Sequence, residues 1–391
     1  MKRAALFLAC FLPWALPAQD NHSTATTNQR EVATAAQANI SSGRDDGSSA
    51  ELGTEADVAS TPNTNLPQQP NAKPSPSGAP RGESTPKIPG SMVGYIDDPI
   101  VGSRIRIRFD AAFNDEFPDR AEFFYGKCGC YRAVGLDPHA PGPPPGSSAS
   151  AIPNNLNFQQ LYLNAEYSPL RRFSLFTEVP VRWIQAQGTT TSINGGTFPN
   201  QGGLGDVTAG FKLAAIASER DYVTFQFTGY FPSGDASKGL GTNHFSIEPA
   251  LLLYHGFSSR WTLEAEVGDW HPIGGSAGEN PSSSEGFAGD VFFYGVGPSY
   301  KLYSGRRVGI APVLEAVGWH VISGFETNLG GKFPPGVGVA SEVGGTNIVN
   351  IKIGARISIG FHNSFYIGYG HAVTNADWYK QIARVEYRYT F

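Results

Sequence analysis

Charged side chains recur at every second position in several segments of this 391-residue chain. In the segment RIRIRFD, Arg104, Arg106 and Arg108 alternate with apolar residues, and alternate residues of a β-strand face opposite sides. Charges on an inward face could pair into salt bridges that brace a wall, or could create a field that selects ions. The charges that we predict to line an interior are Arg104, Arg106, Arg108, Asp110, Glu166, Glu178, Arg182, Lys212, Glu248, Glu264, Glu266, Lys301, Glu315, Lys352, Arg356, Arg384, Glu386 and Arg388.

The chain ends on the alternating segment RVEYRYTF. One face of this strand is ionic, and the other is aromatic and contains Tyr387, Tyr389 and Phe391. A last strand that ends on Phe resembles the signal read by the outer-membrane assembly machinery. If this strand pairs with RIRIRFD, then Arg384 and Arg388 extend the first cluster into one basic wall.

Two further groups of residues could do chemistry. Cys128 and Cys130, in KCGC, could form a disulfide in an oxidising compartment, although a bridge across one residue is strained. Free thiols, a redox role and a metal role remain alternatives.

Three histidines, His271, His320 and His371, lie near strand ends, with Asp269 and Asp377 close by. Each histidine is near a tryptophan, which favours an aromatic interface belt over a catalytic or metal site. We therefore predict no enzyme activity, no metal and no cofactor. The tryptophans are Trp270, Trp319 and Trp378.

Composition restricts the environment. Charged residues make up only 16% of the chain, aromatic residues make up 12%, and there are 47 glycines. No apolar run reaches the length of about 18 residues that a transmembrane helix needs. The net charge of −5 gives no reason to expect nucleic acid as a partner.

The first 90 residues carry targeting and linker signals. Lys2 and Arg3 precede an apolar run and a small-residue site near Ala18, which predicts a signal peptide over residues 1–18. Residues 19–90 are rich in Pro, Ser, Thr and Asn and cannot bury enough apolar surface to fold. We predict a disordered periplasmic tether there.

Period-2 patterning and turn residues divide the remainder into twelve candidate strands. The connections alternate between short turns, such as YSGRR and FHNS, and long polar loops, such as PSGDASKGLGTN. Tight periplasmic turns and long extracellular loops are typical of outer-membrane barrels. The candidate strands are 103–113, 157–167, 171–186, 204–216, 221–231, 243–254, 260–270, 287–302, 307–321, 346–360, 364–373 and 377–391.

The predicted fold is therefore an all-β, closed, antiparallel transmembrane β-barrel of twelve strands over residues 100–391. We expect it in the outer membrane of a Gram-negative bacterium, with the tether and the C-terminus in the periplasm. Its expected partners are the lipid bilayer, the assembly machinery and a small-molecule solute. Closure is required because an open sheet edge is not tolerated in lipid.

Local motifs carry a family resemblance. GGLGDVTAGFKL contains Gly203, Leu204, Gly205 and Asp206, and the following loop contains Pro232, Gly234 and Asp235. With EVPVRW, these motifs resemble the outer-membrane family named for the MetA pathway of phenol degradation. The resemblance covers residues 157–391, and the tether and the cysteine-containing loop depart from it.

The resemblance implies a porin-like channel, with aromatic or hydrophobic compounds as candidate solutes, and no binding residues carry over. Two alternatives stay open. One is a non-conducting structural or adhesive barrel that is closed by its own charges, and the other is an outer-membrane enzyme.

Overall fold

The computed structural model describes residues 90–116, 150–153, 155–187, 190–193, 199–235, 238–242, 244–273, 288–327 and 340–391. No helix in this part of the chain is long and apolar enough to cross a membrane. The twelve long strands are β1 (Arg104–Asp115), β2 (Leu156–Leu170), β3 (Phe173–Ala186), β4 (Val207–Ala217), β5 (Asp221–Phe231), β6 (Phe245–Gly256), β7 (Trp261–Ile273), β8 (Val291–Tyr300), β9 (Val308–Val321), β10 (Asn347–Ile359), β11 (Asn363–Ala372) and β12 (Gln381–Thr390).

Six short strands supplement the twelve. Gln201–Leu204 adds to β3, and Tyr303–Ser304 adds to β9. Two separate ribbons pair Ser150–Pro153 with Thr190–Ile193, and Phe325–Thr327 with Ala340–Glu342.

Every long strand pairs antiparallel with its neighbour in the chain, and the first strand also pairs with the last. The register of the closing pair runs from Arg104 opposite Thr390 to Phe113 opposite Gln381. The sheet is thus a closed ring without a free edge, as hydrocarbon requires. The predicted count of twelve strands and the predicted closure are confirmed.

The outer surface of the ring is apolar. Ile105, Leu175, Val267, Ile353 and Val385 are exposed, and the residues that alternate with them face inward. A continuous belt of exposed aliphatic and aromatic side chains around a closed sheet suits lipid, not water. The fold class is therefore a transmembrane β-barrel of the outer-membrane type.

The C-terminal residue is held to the ring. The backbone N–H of Phe391 donates to the carbonyl of Ser103 at 3.0 Å, and its ring contacts Tyr389 edge to face. The aromatic face of β12 therefore continues along the barrel exterior to the last residue.

The interface belt predicted for the three tryptophans is wrong. Trp270, Trp319 and Trp378 are almost fully buried in the core, whereas the neighbouring His271 and His320 are exposed or half-buried. For Trp270 and Trp319 the reason is the period of two, because adjacent residues of a strand cannot share a face. Trp378 precedes β12 and packs edge to face against Trp319.

Candidate functional site

An extended segment inside the barrel precedes β1. This segment, residues 90–101, has the sequence GSMVGYIDDPIV, and we refer to it as the plug. The plug contains four buried apolar residues, Met92, Val93, Ile96 and Ile100. None of the plug residues joins the barrel sheet. Sequence reasoning left residues 91–99 unassigned, although an apolar run directly after a polar tether was a usable signal.

The plug needs a glycine where it approaches the wall. A Cβ added to Gly94 would lie 2.2 Å from a ring carbon of Tyr366, which is closer than atoms can approach. The absence of a side chain therefore lets the backbone reach the wall at this point.

Glutamates of β7 and β9 accept hydrogen bonds from the plug's backbone N–H groups. Glu315 accepts from Gly94 at 3.0 Å, from Tyr95 at 2.8 Å and from Ile96 at 3.0 Å. It also accepts the Tyr366 hydroxyl at 2.9 Å. Both of its oxygens are therefore used, and a single carboxylate fixes one turn of the plug.

Two further glutamates extend this acidic side along the plug. Glu264 accepts from the Met92 N–H at 2.8 Å, and Glu266 accepts from the Asp97 N–H at 2.7 Å. Buried backbone N–H groups require hydrogen-bond acceptors. The acidic wall, defined as Glu264, Glu266 and Glu315, thus satisfies one side of the plug.

Cationic side chains serve the plug's carbonyl groups. Arg356 donates to Met92 O at 3.1 Å and to Val93 O at 2.6 Å. Lys212 donates to Asp98 O at 2.8 Å. The other donors are Arg384 to Gly94 O, Arg104 to Ile100 O and Arg388 to Ser91 O.

Asp98 is the ionic anchor of the plug. Its carboxylate pairs with Arg104, and with Arg388 at 2.8 Å. Burial opposes ionisation of Asp98, but Arg104, Arg388 and Lys212 outweigh it and hold the pKa at about 2. Asp98 is therefore charged at neutral pH.

Several of the predicted inward charges form ion pairs within the wall. Arg384 pairs with Asp110 at 2.6 Å, and Arg356 pairs with Glu386 at 3.0 Å. Other pairs are Arg104 with Glu166, Lys212 with Glu166, Arg388 with Glu386, and Arg108 with Glu178.

Lys301 lies one residue beyond β8 and is half-buried at the short-turn end. Cys128 and Cys130 lie outside the described residues.

A cavity of about 200 Å³ remains beside the plug. On one side it meets Arg106, whose Nε donates to Asn164 Oδ1 at 3.1 Å, and no described carboxylate forms an ion pair with this guanidinium. On the other side lies Glu248, which accepts the Tyr230 hydroxyl at 2.7 Å. The cavity thus offers both a guanidinium and a carboxyl group to a bound molecule. Its aromatic lining includes Tyr95, Tyr162, Phe176, Tyr230, Phe293 and Trp319.

Lys352 occupies an aromatic enclosure next to this cavity. Its Nζ lies 4.1 Å from the ring centre of Tyr95, 5.4 Å from that of Trp319 and 5.9 Å from that of Tyr379. Cation–π contacts of this kind stabilise a desolvated ammonium. Because Tyr95 belongs to the plug, Lys352 would lose this ring contact if the plug left the lumen.

The loop between β5 and β6 lines the cavity and carries the second motif of the family resemblance, and Asp206 of the first motif directly precedes β4. Asp206 accepts from the Gly234 N–H at 2.9 Å, from the Thr242 N–H at 2.7 Å and from the Thr242 hydroxyl at 2.8 Å. The loop in turn places Leu240, which is buried, in the cavity lining. The Asp206 carboxylate therefore holds this loop in place, and we refer to these three hydrogen bonds as the latch.

We expect Asp206→Ala to release this loop, because three hydrogen bonds are lost and the buried Thr242 N–H and half-buried Gly234 N–H are left without this acceptor. Limited proteolysis with trypsin should then cut after Lys238 at least tenfold faster. Asp235→Ala is the control, because the pair that Asp235 forms with Lys238 at 3.0 Å is exposed and contributes little. Equal cleavage rates for the two variants would contradict the latch.

The architecture defines a transmembrane β-barrel whose lumen contains a segment of its own chain. The model of the family described as "Putative MetA-pathway of phenol degradation" matches residues 140–268. The resemblance predicted from the sequence is confirmed over this stretch, which includes both motifs and ends within β7. The match does not extend to the C-terminal strands that the predicted resemblance also covered.

Comparison with curated proteins found no match. Among solved structures, similarity is found to the COG4313 outer membrane channel from Pseudomonas putida F1, with 13% identity, a TM-score of 0.43, and coverage of 74% of this chain and 96% of that one. Similarity is also found to the NanC porin, with 8% identity, a TM-score of 0.40, and coverage of 73% of this chain and 100% of that one. The translocator domain of the autotransporter NalP from Neisseria meningitidis is similar with 8% identity, a TM-score of 0.38, and coverage of 74% of this chain and 89% of that one.

Proposed function

We propose that this protein is an outer-membrane channel for small solutes that its plug holds closed. The observation that carries the proposal is how the plug is held. It is bound by hydrogen bonds and ion pairs to several strands of the wall, among them β9, β10 and β12, and takes no part in the barrel sheet. It can therefore leave the lumen without breaking a strand pairing. A lumen lined by opposed charges would remain, as in pores whose charges set selectivity.

We further propose aromatic compounds of small size as solutes. Six aromatic rings line the cavity together with Arg106 and Glu248, and aromatic rings pack favourably against other rings. The matching family is described by its relation to phenol degradation. Arg106 and Glu248 would orient the polar group of such a solute.

Uptake into proteoliposomes tests this proposal. Phenol crosses lipid by itself, so benzoate and a sugar of similar size are the probes. In liposomes that contain the protein without residues 90–100, we expect entry of benzoate to exceed entry of the sugar, and we expect Arg106→Gln in the same background to reduce the difference. Control liposomes contain the same protein with Lys238→Gln, a change at an exposed loop residue. No entry of either probe, with or without the plug, would favour a non-conducting structural barrel.

We propose that the short turns face the periplasm and the long loops face outward, as in barrels of this type. Single cysteines placed at Arg306 in a short turn and at Lys238 in a long loop would test this orientation. Each is introduced into a Cys128→Ser, Cys130→Ser background. An impermeant thiol reagent applied to whole cells should label only the Lys238→Cys variant.

Deletion of Phe391 is expected to lower the amount of folded protein in the outer membrane several-fold. The deletion removes the aromatic residue that directly follows β12 and the hydrogen bond from its N–H to the Ser103 carbonyl. Phe391→Tyr keeps both features and is the control. Quantitative blots of outer-membrane fractions measure the effect, and equal levels for the deletion and the control would refute an assembly role.

A further inference from the structure

Three potential metal ligands meet on the outside of the barrel, at the end that carries the long loops. Asp269 and His271 occupy alternate positions of β7 and so share its outward face. Trp270 pairs with Val291, which places the next residues, His271 and Asp290, side by side. The outward neighbours Val267, Phe292 and Ile273 are exposed apolar residues, so the cluster lies at the rim of the lipid-facing surface.

The three side chains are close enough to share one ion. His271 Nδ1 lies 2.5 Å from Asp290 Oδ1. One ligand atom from each of Asp269, His271 and Asp290 lies within 4.8 Å of the other two. Metal–ligand bonds to nitrogen and oxygen are about 2.0–2.2 Å long. Small side-chain rotations would bring the three ligand atoms within bonding distance of one ion.

The electrostatics of the cluster call for a cation. Asp269 Oδ1 is enclosed and has no hydrogen-bond partner within the described residues. No lysine or arginine of the described chain forms an ion pair with Asp269 or Asp290. Two adjacent carboxylates repel each other, and an uncompensated acceptor carries a desolvation cost. A divalent ion removes both penalties together.

The backbone around Asp290 is already fixed. Its N–H donates to Ser323 Oγ at 3.1 Å, and its carbonyl accepts from the Ile322 N–H at 2.8 Å. A Cβ on the preceding Gly289 would lie 2.1 Å from the Ser323 carbonyl carbon, so the close approach of the two backbones requires glycine there. Groups that orient a ligand residue from behind are typical of metal sites.

We propose that Asp269, His271 and Asp290 bind a divalent transition-metal ion of the Zn²⁺ class, with water completing the coordination. One imidazole and two carboxylates suit Zn²⁺ better than Ca²⁺ or Mg²⁺, which take oxygen ligands only. This site departs from the sequence-based prediction of no metal. That prediction considered the three histidines together, whereas the cluster joins one of them to Asp290, which the sequence did not single out.

The chain contains a matched control. His255 Nδ1 lies 2.6 Å from Asp221 Oδ1, and both side chains are about half exposed. This pair resembles His271 and Asp290 but lacks a third ligand close by within the described residues. A histidine next to one carboxylate is an ordinary exposed ion pair, so this site should not bind the metal tightly.

Zn²⁺ titration of the full chain tests the proposal. The protein carries Cys128→Ser and Cys130→Ser and is refolded into detergent without lipopolysaccharide, and a fluorescent chelator competes for the ion. We expect one site of micromolar affinity, weakened at least tenfold in Asp269→Asn, His271→Ala and Asp290→Asn and unchanged in His255→Ala. Co²⁺ should give a visible absorption band that these three variants lose.

The Asp→Asn variants keep side-chain size, and the shift in gel mobility on heating reports whether each variant is folded. Zn²⁺ affinity that is unchanged in all three variants would overturn the proposal. An equal loss in His255→Ala would also overturn it, because binding would then be a general property of exposed His–Asp pairs. If one variant fails to fold, the other two decide.

Discussion

Deleting residues 90–100 is expected to turn a nearly closed protein into an open channel with at least tenfold higher conductance in planar bilayers. The deletion removes the groups that fill the lumen and leaves β1, which begins at Arg104, intact. Its pairing with β12 and β2 includes no residue of the plug. The barrel should therefore still close, and the acidic wall and the opposing cations should face water.

A deletion of equal length upstream, residues 78–88, is the control and should leave the conductance unchanged. Reversal potentials measured under a salt gradient would add a second readout. In the open variant, the double change Arg106→Gln with Arg388→Gln should shift selectivity towards cations, because rings of charge set selectivity and partly buried charges are weakly screened. Equal conductance for the plug deletion and the intact chain would refute the plug as the closing element.

The second large effect is expected for Asp98→Asn, which should lower the free energy of unfolding by about 3–5 kcal/mol, the usual cost of breaking a buried pair. The neutral amide would leave Arg104 and Arg388 facing each other with less compensating charge. The plug should be held less firmly, and bilayer recordings should show brief openings that the intact chain lacks. Urea titration followed by tryptophan fluorescence measures the stability.

Asp97→Asn is the matched control for this prediction. The side chain of Asp97 accepts a hydrogen bond from Gln226 and lies near Glu248 and Glu266. Neutralising it removes no ion pair and relieves repulsion between carboxylates. We expect no loss of stability. A similar loss in both variants would show that any change in the plug destabilises the barrel and that Asp98 is not a specific anchor.

The contribution of Asp98 should also depend on pH. Because its folded pKa, at about 2, lies below the unfolded value of about 3.9, its stabilisation is fully present above about pH 5. It is lost as the pH falls from about 4 through 2. Asp98→Asn should flatten this part of the stability profile, and Asp97→Asn should leave it in place.

Local pattern was enough to predict the wall of this protein. In RIRIRFD and RVEYRYTF the period of two separates the ionic side chains from the apolar ones, and lipid then requires the two strands to meet. The number of strands, the closing pair and the direction of each face follow from these local facts. They need no knowledge of which distant residues touch.

Only the tertiary structure decided what the inward charges do. The sequence offered two interpretations, salt bridges within the wall or a field across an open pore, and neither included a separate segment between Glu315 and Arg356. The contact from Glu315 to Tyr95 spans 220 positions in the chain, and that from Arg356 to Val93 spans 263. The plug is neither helix nor strand, so its sequence has no regular pattern of polar and apolar residues. Contacts over such separations therefore cannot be read from the sequence around either partner. Its partners are set by the shape of the closed ring, which places β7, β9 and β10 around one narrow lumen.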